Sequence, residues 1–358
     1  MTMMRTTVIK TLRIARTAAL LFPVCVGLHS FAQSRIVQAQ VHSAGLEHNL
    51  FGDSSDQTVG IYLPAAYAAE PQRRFAVIYF LHGYNDTRAM KVAEIVQQMM
   101  DKQIAAHTVE PMIIVAPNGL NKLLGSFYTN SPATGDWEDY VVRDLVAYID
   151  SHYRTLASPD SRGIGGHSMG GYGSLMLAFK HPDVFGYVYA MSPCCTILAG
   201  DLALGSKVWE QAQKVKSVSE LPGLIEHGEL LSAAMLAAEA AFTPDPHKPF
   251  PFVDSPVRME GNHWVPDPEV FPEFQSHIVV NALPGLLPKI YKLKGIYIDY
   301  GAQDEYTHIP LGAQALSAEL SIAGIPHVLD VYEGSHSSRV HSQFETKLLL
   351  WFSTHLKQ

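Results

Sequence analysis

The order of apolar segments in this 358-residue chain predicts an α/β fold, a mostly parallel central sheet covered by helices on both faces. Three observations carry that prediction. Strand-like apolar runs alternate with stretches of helical spacing, the rhythm of βαβ units. The run 75–81, Phe-Ala-Val-Ile-Tyr-Phe-Leu, is apolar at every position, as befits a strand buried on both faces. Finally, Gly166-His167-Ser168-Met169-Gly170 lies between a short strand and an amphipathic stretch, the strand-to-helix junction of open α/β sheets.

At the N-terminus, Arg5, Lys10, Arg13 and Arg16 precede an apolar run over 18–28, and Ser30-Phe31-Ala32 precede Gln33. This is the pattern of a secretory signal peptide over residues 1–32, which predicts a secreted or periplasmic mature protein. The run is short for a bilayer span, and Val24 fits poorly ahead of Cys25 in a lipid-attachment box. Residues 33–358 read as one domain. Strands are expected at 58–63, 75–81, 112–116, 162–165, 187–191, 296–300 and 328–332. Helical spacing marks 90–105 and 137–153, where Tyr140, Val141, Leu145, Tyr148 and Ile149 share a face. It returns after Ser168, with Tyr172, Leu175, Met176 and Phe179 recurring until Pro182, and closes the chain over 344–352. Between 196 and 294 the rhythm breaks for longer than a connection normally runs. That stretch is expected to be a lid or cap insertion, helical around 230–241 and irregular from 243 to 272.

The chain is acidic, with net charge −8, and no basic cluster tracks a phosphate backbone. Nucleic acid and anionic membranes are therefore excluded as partners, and no membrane association is expected after removal of the leader. Cys194 and Cys195 are adjacent. Their Cα atoms lie about 3.8 Å apart, below the roughly 4.4 Å that begins the disulfide range, so both read as small buried hydrophobes. No Cys/His cluster has metal-ligand spacing, and neither metal nor other cofactor is expected.

A serine hydroxyl becomes a nucleophile only when a histidine takes its proton and a carboxylate orients that histidine. On an open α/β sheet the chain order is Ser, then Asp or Glu, then His, with the partners in loops after late strands. Ser168 is the candidate nucleophile. Asp304, in the loop after 296–300, is the candidate acid; Asp299 lies within the strand, and Glu305 would serve after a one-residue shift. His336, in the loop after 328–332, is the candidate base, since His327 starts the strand and His341 falls near the closing helix. His167 reads as structural, its side chain turned away from the hydroxyl. Two backbone N–H groups are needed for the oxyanion. Met169 supplies one and Tyr84, in the His82-Gly83-Tyr84 turn, the other; His82 as a side-chain catalyst is the alternative.

Together Tyr79-Phe80-Leu81-His82-Gly83, Gly166-His167-Ser168-Met169-Gly170-Gly171, Trp137-Glu138-Asp139-Tyr140, His181-Pro182-Asp183-Val184-Phe185, Gly301-Ala302-Gln303-Asp304-Glu305 and Gly334-Ser335-His336-Ser337 resemble the esterase D / antigen 85 / feruloyl esterase group of α/β-hydrolases, akin to carbohydrate esterase family 1. The resemblance covers most of 58–355. It implies the α/β-hydrolase fold, a Ser168-Asp304-His336 triad and Tyr84 and Met169 as oxyanion donors. Family members cleave feruloyl and acetyl esters on plant polysaccharide, S-formylglutathione or siderophore esters, and some transfer mycolyl groups. Ser338 and Arg339 stand where many relatives place an aromatic after the histidine. A secreted serine carboxylic ester hydrolase acting on a small-molecule or polysaccharide-linked ester is therefore expected. Acyl transfer or thioester cleavage by the same triad, and a catalytically silent binding protein, are the alternatives. Phe250, Phe252, Trp264, Phe271 and Phe274 in the insertion are candidates to line a pocket for an aromatic acyl group.

Overall fold

Eight strands form the central sheet in a computed structural model that describes residues 33–86 and 89–358. They are β1 (Arg35–His42), β2 (Asp56–Leu63), β3 (Val77–Leu81), β4 (Ile113–Pro117), β5 (Arg162–His167), β6 (Tyr187–Met191), β7 (Gly295–Gly301) and β8 (Val328–Tyr332). Their order across the sheet is β1-β2-β4-β3-β5-β6-β7-β8. The first two strands join antiparallel, and every pairing from β4 onward is parallel. The signal peptide expected over 1–32 lies outside the described residues.

The seven strands expected from the sequence are present with ends shifted by at most two residues. β1 is the strand that pattern reading missed. As an edge strand it buries only Ala39 and Val41, so its sequence RIVQAQVH lacks the continuous apolar run of a central strand. β3 and β4 bury every residue, and each large aliphatic side chain so removed from water contributes about 1.5–3 kcal/mol. Helices α1 (Ala89–Ala105), α2 (137–152) and α3 (Met169–Lys180) cross between strands. In α2 the middle turn, Tyr140–Leu145, widens to a π-helical register that turns Tyr140, Val141, Val142 and Leu145 inward together.

Between β6 and β7 the chain forms several short helices, among them Lys207–Lys214 and α4 (Leu230–Phe242). The stretch expected to be irregular contains a hairpin of Val257–Glu260 with His263–Pro266. α4 is alanine-rich, and its residues from Met235 to Phe242 are all buried. Small side chains let it pack closely, with Phe242 against Tyr172 of α3 at 5.6 Å between ring centres. After β7, α5 (His308–Ile322) covers one face, and after β8 the closing helix α6 (340–355) covers the other, with Phe344, Leu348 and Phe352 in the same apolar layer as Tyr189.

The insertion also buries a carboxyl group. Glu239 of α4 is wholly inaccessible, and its two oxygens accept from the Gln213 amide at 2.9 and 2.8 Å. Burial pushes its pKa up to about 8, only partly opposed by that amide. Folding therefore binds a proton between the ordinary carboxyl value of 4.5 and about 8. The stability this group contributes is full below pH 4.5 and is lost as pH rises through 8. Glu239→Gln should raise the melting temperature at pH 9 by a few degrees and leave it nearly unchanged at pH 5; scanning calorimetry at both values checks the sign.

Candidate active site

Leu81 pairs with Gly166 and His167 with Met191 across parallel strands, so the loops after β3, β5 and β6 leave the sheet along one edge. Ser168 begins α3 there, with φ +57° and ψ −115°, a backbone conformation that a side-chain-bearing residue adopts only when its surroundings enforce it. The enforcement is local. Ser168 N–H donates to Met191 O at 2.9 Å, while its carbonyl accepts from Tyr172 N–H at 3.0 Å and Cys194 N–H at 3.3 Å. A Cβ at Gly170 would stand 2.1 Å from Leu81 O, and one at Gly166 2.4 Å from Gly170 O. Only glycine allows the turn to press this closely against β3. The N-terminus of α3 then points its free N–H groups at the serine, which favours a developing negative charge.

Asp304 and His336 come from the adjacent loops after β7 and β8, which are tied together. Gln303 N–H donates to Gly334 O at 2.9 Å, and Gly334 N–H to Gln303 Oε1 at 2.7 Å. His336 Nδ1–H donates to Asp304 Oδ2 at 2.8 Å, with both residues buried. Asp304 Oδ1 accepts Tyr306 N–H at 2.9 Å, so the aspartate shapes its own turn as well. With Nδ1 carrying the proton toward Asp304, Nε2 of His336 is left with a lone pair. Ser168 and His336 line one polar cleft together with Gly83, Tyr84 and His341.

The alternatives weighed from sequence fall into supporting places. Glu305 accepts His336 N–H at 3.0 Å through its own carboxylate and so holds the loop. Asp299 is buried in β7 and accepts the Tyr189 hydroxyl at 2.8 Å; burial raises its pKa to about 7. His327 bonds Ile325 O and Ser317 Oγ. His82 has both ring nitrogens engaged by backbone: Gly119 N–H donates to Nε2 at 2.7 Å, and Nδ1–H donates to Gly83 O at 2.8 Å. It has no nitrogen to spare for a substrate. In a trans peptide the C=O and N–H point opposite ways, so fixing Gly83 O turns the Tyr84 N–H away from His82.

His167 has the structural role expected of it, but through a partner the sequence did not indicate: its ring lies 4.6 Å from that of His336, and Nε2–H donates to His336 O at 3.0 Å. Burial, with the neighbouring His336 adding to it, lowers its pKa to about 3, so it is a neutral prop for the histidine loop. No motif spacing signals this contact.

A second pocket meets the cleft at Ser168. It encloses about 460 Å³ of space, part of it open to solvent, and is lined by Phe127, Met169, Cys195, Leu202, Met235 and Ile309 among others. Cys194 and Cys195 are free and buried beside it. The aromatic residues expected there do not line it. Phe250 and Phe252 pack on Phe51 outside the insertion, and Phe274 packs on Trp209 and Phe242 within it, because large rings gain more by burial against other rings. The insertion presents aliphatic side chains of α4 to the pocket instead.

The Esterase family model matches residues 54–349. A xylanase/feruloyl esterase of Xylanibacter ruminicola is 28% identical over 135 residues, 37% of this chain and 19% of that protein. The chain spans less than two thirds of the length of the curated relatives it matches. Among solved structures, a ferulic acid esterase aligns with TM-score 0.60 at 20% identity over 90% of this chain and 98% of that one. An S-formylglutathione hydrolase from Agrobacterium tumefaciens aligns with TM-score 0.56 at 18% identity over 92% and 97%. These likenesses bear on architecture, and the fold is that of the α/β-hydrolases.

Gly170→Ala should destabilise the protein by about 2 kcal/mol or more, because its methyl group meets backbone rather than a movable side chain; denaturant unfolding measures the loss. The match over 54–349, on a sheet of this order with Ser168 at its strand-to-helix turn, shows that the chain belongs to the Esterase family.

Proposed function

We propose that this protein is a serine carboxylic ester hydrolase acting through an acyl-enzyme. The observation that carries the reading is His336, held by Asp304 at 2.8 Å, lining one cleft with a serine on a strained turn. Ser168 Oγ attacks the ester carbonyl as its proton passes to His336 Nε2. Asp304 holds the imidazolium, and the N–H groups of Tyr84 and Met169 stabilise the oxyanion. His336 then gives the proton to the departing alkoxide, leaving Ser168 acylated. Water, deprotonated by the same histidine, releases the acid and restores the serine.

The different linings of the two pockets support a placement of the two halves of the ester. The leaving oxygen must lie at His336, which lines the polar cleft and not the apolar pocket. The alcohol half therefore occupies the cleft beside Ser337, Ser338 and His341, and the acyl half enters the apolar pocket past Met169. A hydroxylated alcohol such as a sugar suits the cleft, in keeping with the feruloyl esterase named in one relative.

Ser168→Ala should lower turnover of a 4-nitrophenyl ester by roughly 10³-fold or more with the fold retained, and should abolish labelling by a fluorophosphonate probe. Unchanged turnover in that variant would exclude the assignment. Export from the cytoplasm is part of the proposal and rests on the pattern of residues 1–32. N-terminal sequencing of the exported protein should begin near Gln33; recovery of an intact leader on an active intracellular protein would count against it.

A further inference from the structure

The wall of the apolar pocket includes a polar side chain, His308, that the hydrolytic mechanism does not use. His308 opens α5 and is 1% exposed. Its Nδ1 lies 2.7 Å from Asp201 Oδ1. Asp201 sits in the short turn Gly200–Leu202 of the insertion, and its carboxylate also accepts Thr307 N–H at 3.1 Å and His308 N–H at 3.0 Å. Asp201 N–H donates in return to Thr307 Oγ1 at 3.0 Å. Burial works against the Asp201 charge, yet the bonds from His308 hold its pKa below the ordinary carboxyl value. A carboxylate can only accept, so Nδ1 carries a proton, and in the neutral imidazole Nε2 presents a lone pair.

That nitrogen is buried and has no hydrogen-bond partner among the described residues. The imidazole lines the pocket together with Ser168, Leu202, Met235 and Ile309. A buried acceptor on an apolar wall remains unsatisfied until a ligand brings a donor to it. The His308 ring is 6.4 Å from that of Tyr306, which is itself 4.9 Å from that of His336, so His308 belongs to the same surroundings as the candidate base.

We propose that His308, oriented by Asp201, is a specificity-determining residue whose Nε2 accepts a hydrogen bond from a hydroxyl carried on the acyl group, so that the pocket selects hydroxyacyl esters over their deoxy counterparts. The inference rests on Ser168 as nucleophile with the acyl half in this pocket. A purely structural role, fastening the insertion to α5, would make the pair matter for stability and leave the choice between the two esters untouched.

The test compares kcat/KM for methyl 6-hydroxyhexanoate against methyl hexanoate, and for methyl 3-hydroxybutanoate against methyl butanoate. Wild type should favour the hydroxylated member of at least one pair by about 10-fold or more, since a site built to bond a hydroxyl rejects the analogue lacking it. In His308→Leu the ratio should fall to about 1, whatever happens to the absolute rates. Calorimetric binding of the longer pair to Ser168→Ala protein reads the same subsite without turnover and without altering His308. A preference there upholds the inference even where wild type hydrolyses neither ester, a result that counts against the nucleophile assignment alone. Equal kcat/KM within both pairs together with equal affinity overturns the inference, as does a preference that survives in His308→Leu.

Discussion

A serine forced to φ +57° between β5 and α3 is the constraint on which the rest of the site depends. Holding a side-chain-bearing residue there costs on the order of 1–3 kcal/mol, which the surrounding packing must offset. Every residue of α3 from Met169 to Phe179 is buried, and the Ser168 amide and carbonyl are both bonded. The turn is therefore over-determined. Loosening the contact of Gly170 with β3 would let the backbone relax and carry the hydroxyl away from His336.

The partners of Ser168 are positioned by the neighbouring parallel strands and by the stitching between their loops. Gly301 pairs with Tyr332 in register, so the loops bearing Asp304 and His336 start side by side. Four further contacts then fix the histidine: Gln303 with Gly334, Glu305 with the His336 amide, His167 with its carbonyl, and Asp304 with its ring. Backbone and ring are held by different groups. The imidazole keeps one tautomer and one direction, which proton transfer in both halves of an acyl-enzyme cycle requires.

The insertion determines what surrounds this machinery. α4 brings aliphatic side chains against Ser168, while the loop after β8 supplies serine and histidine to the other side. One serine thus faces an apolar and a polar half-site. Among the contacts that anchor the insertion are rings packed on α3 and on Phe51 and the Asp201–His308 bond to α5.

Much of the fold, and the residues of the candidate site, were legible from local pattern. Continuous apolar runs mark β3 and β4 because both faces are covered, and the spacing around Ser168 marks the turn because close backbone approach admits glycine alone. Chain order then left few loops for Asp304 and His336. What the pattern could not carry involves residues distant in sequence. β1 lacks a run because only part of an edge strand is buried; His167 meets His336 across 169 positions; and Phe250, Phe252 and Phe274 pack on other rings, because burial of large rings there won over the pocket. Sequence by itself determined the order in which Ser168, Asp304 and His336 follow one another in loops after successive strands, since those demands are local to each turn. Tertiary structure alone decided which side chains line the apolar pocket beside Ser168 and that His308 stands among them, because a pocket wall is assembled from elements whose separation no local spacing records.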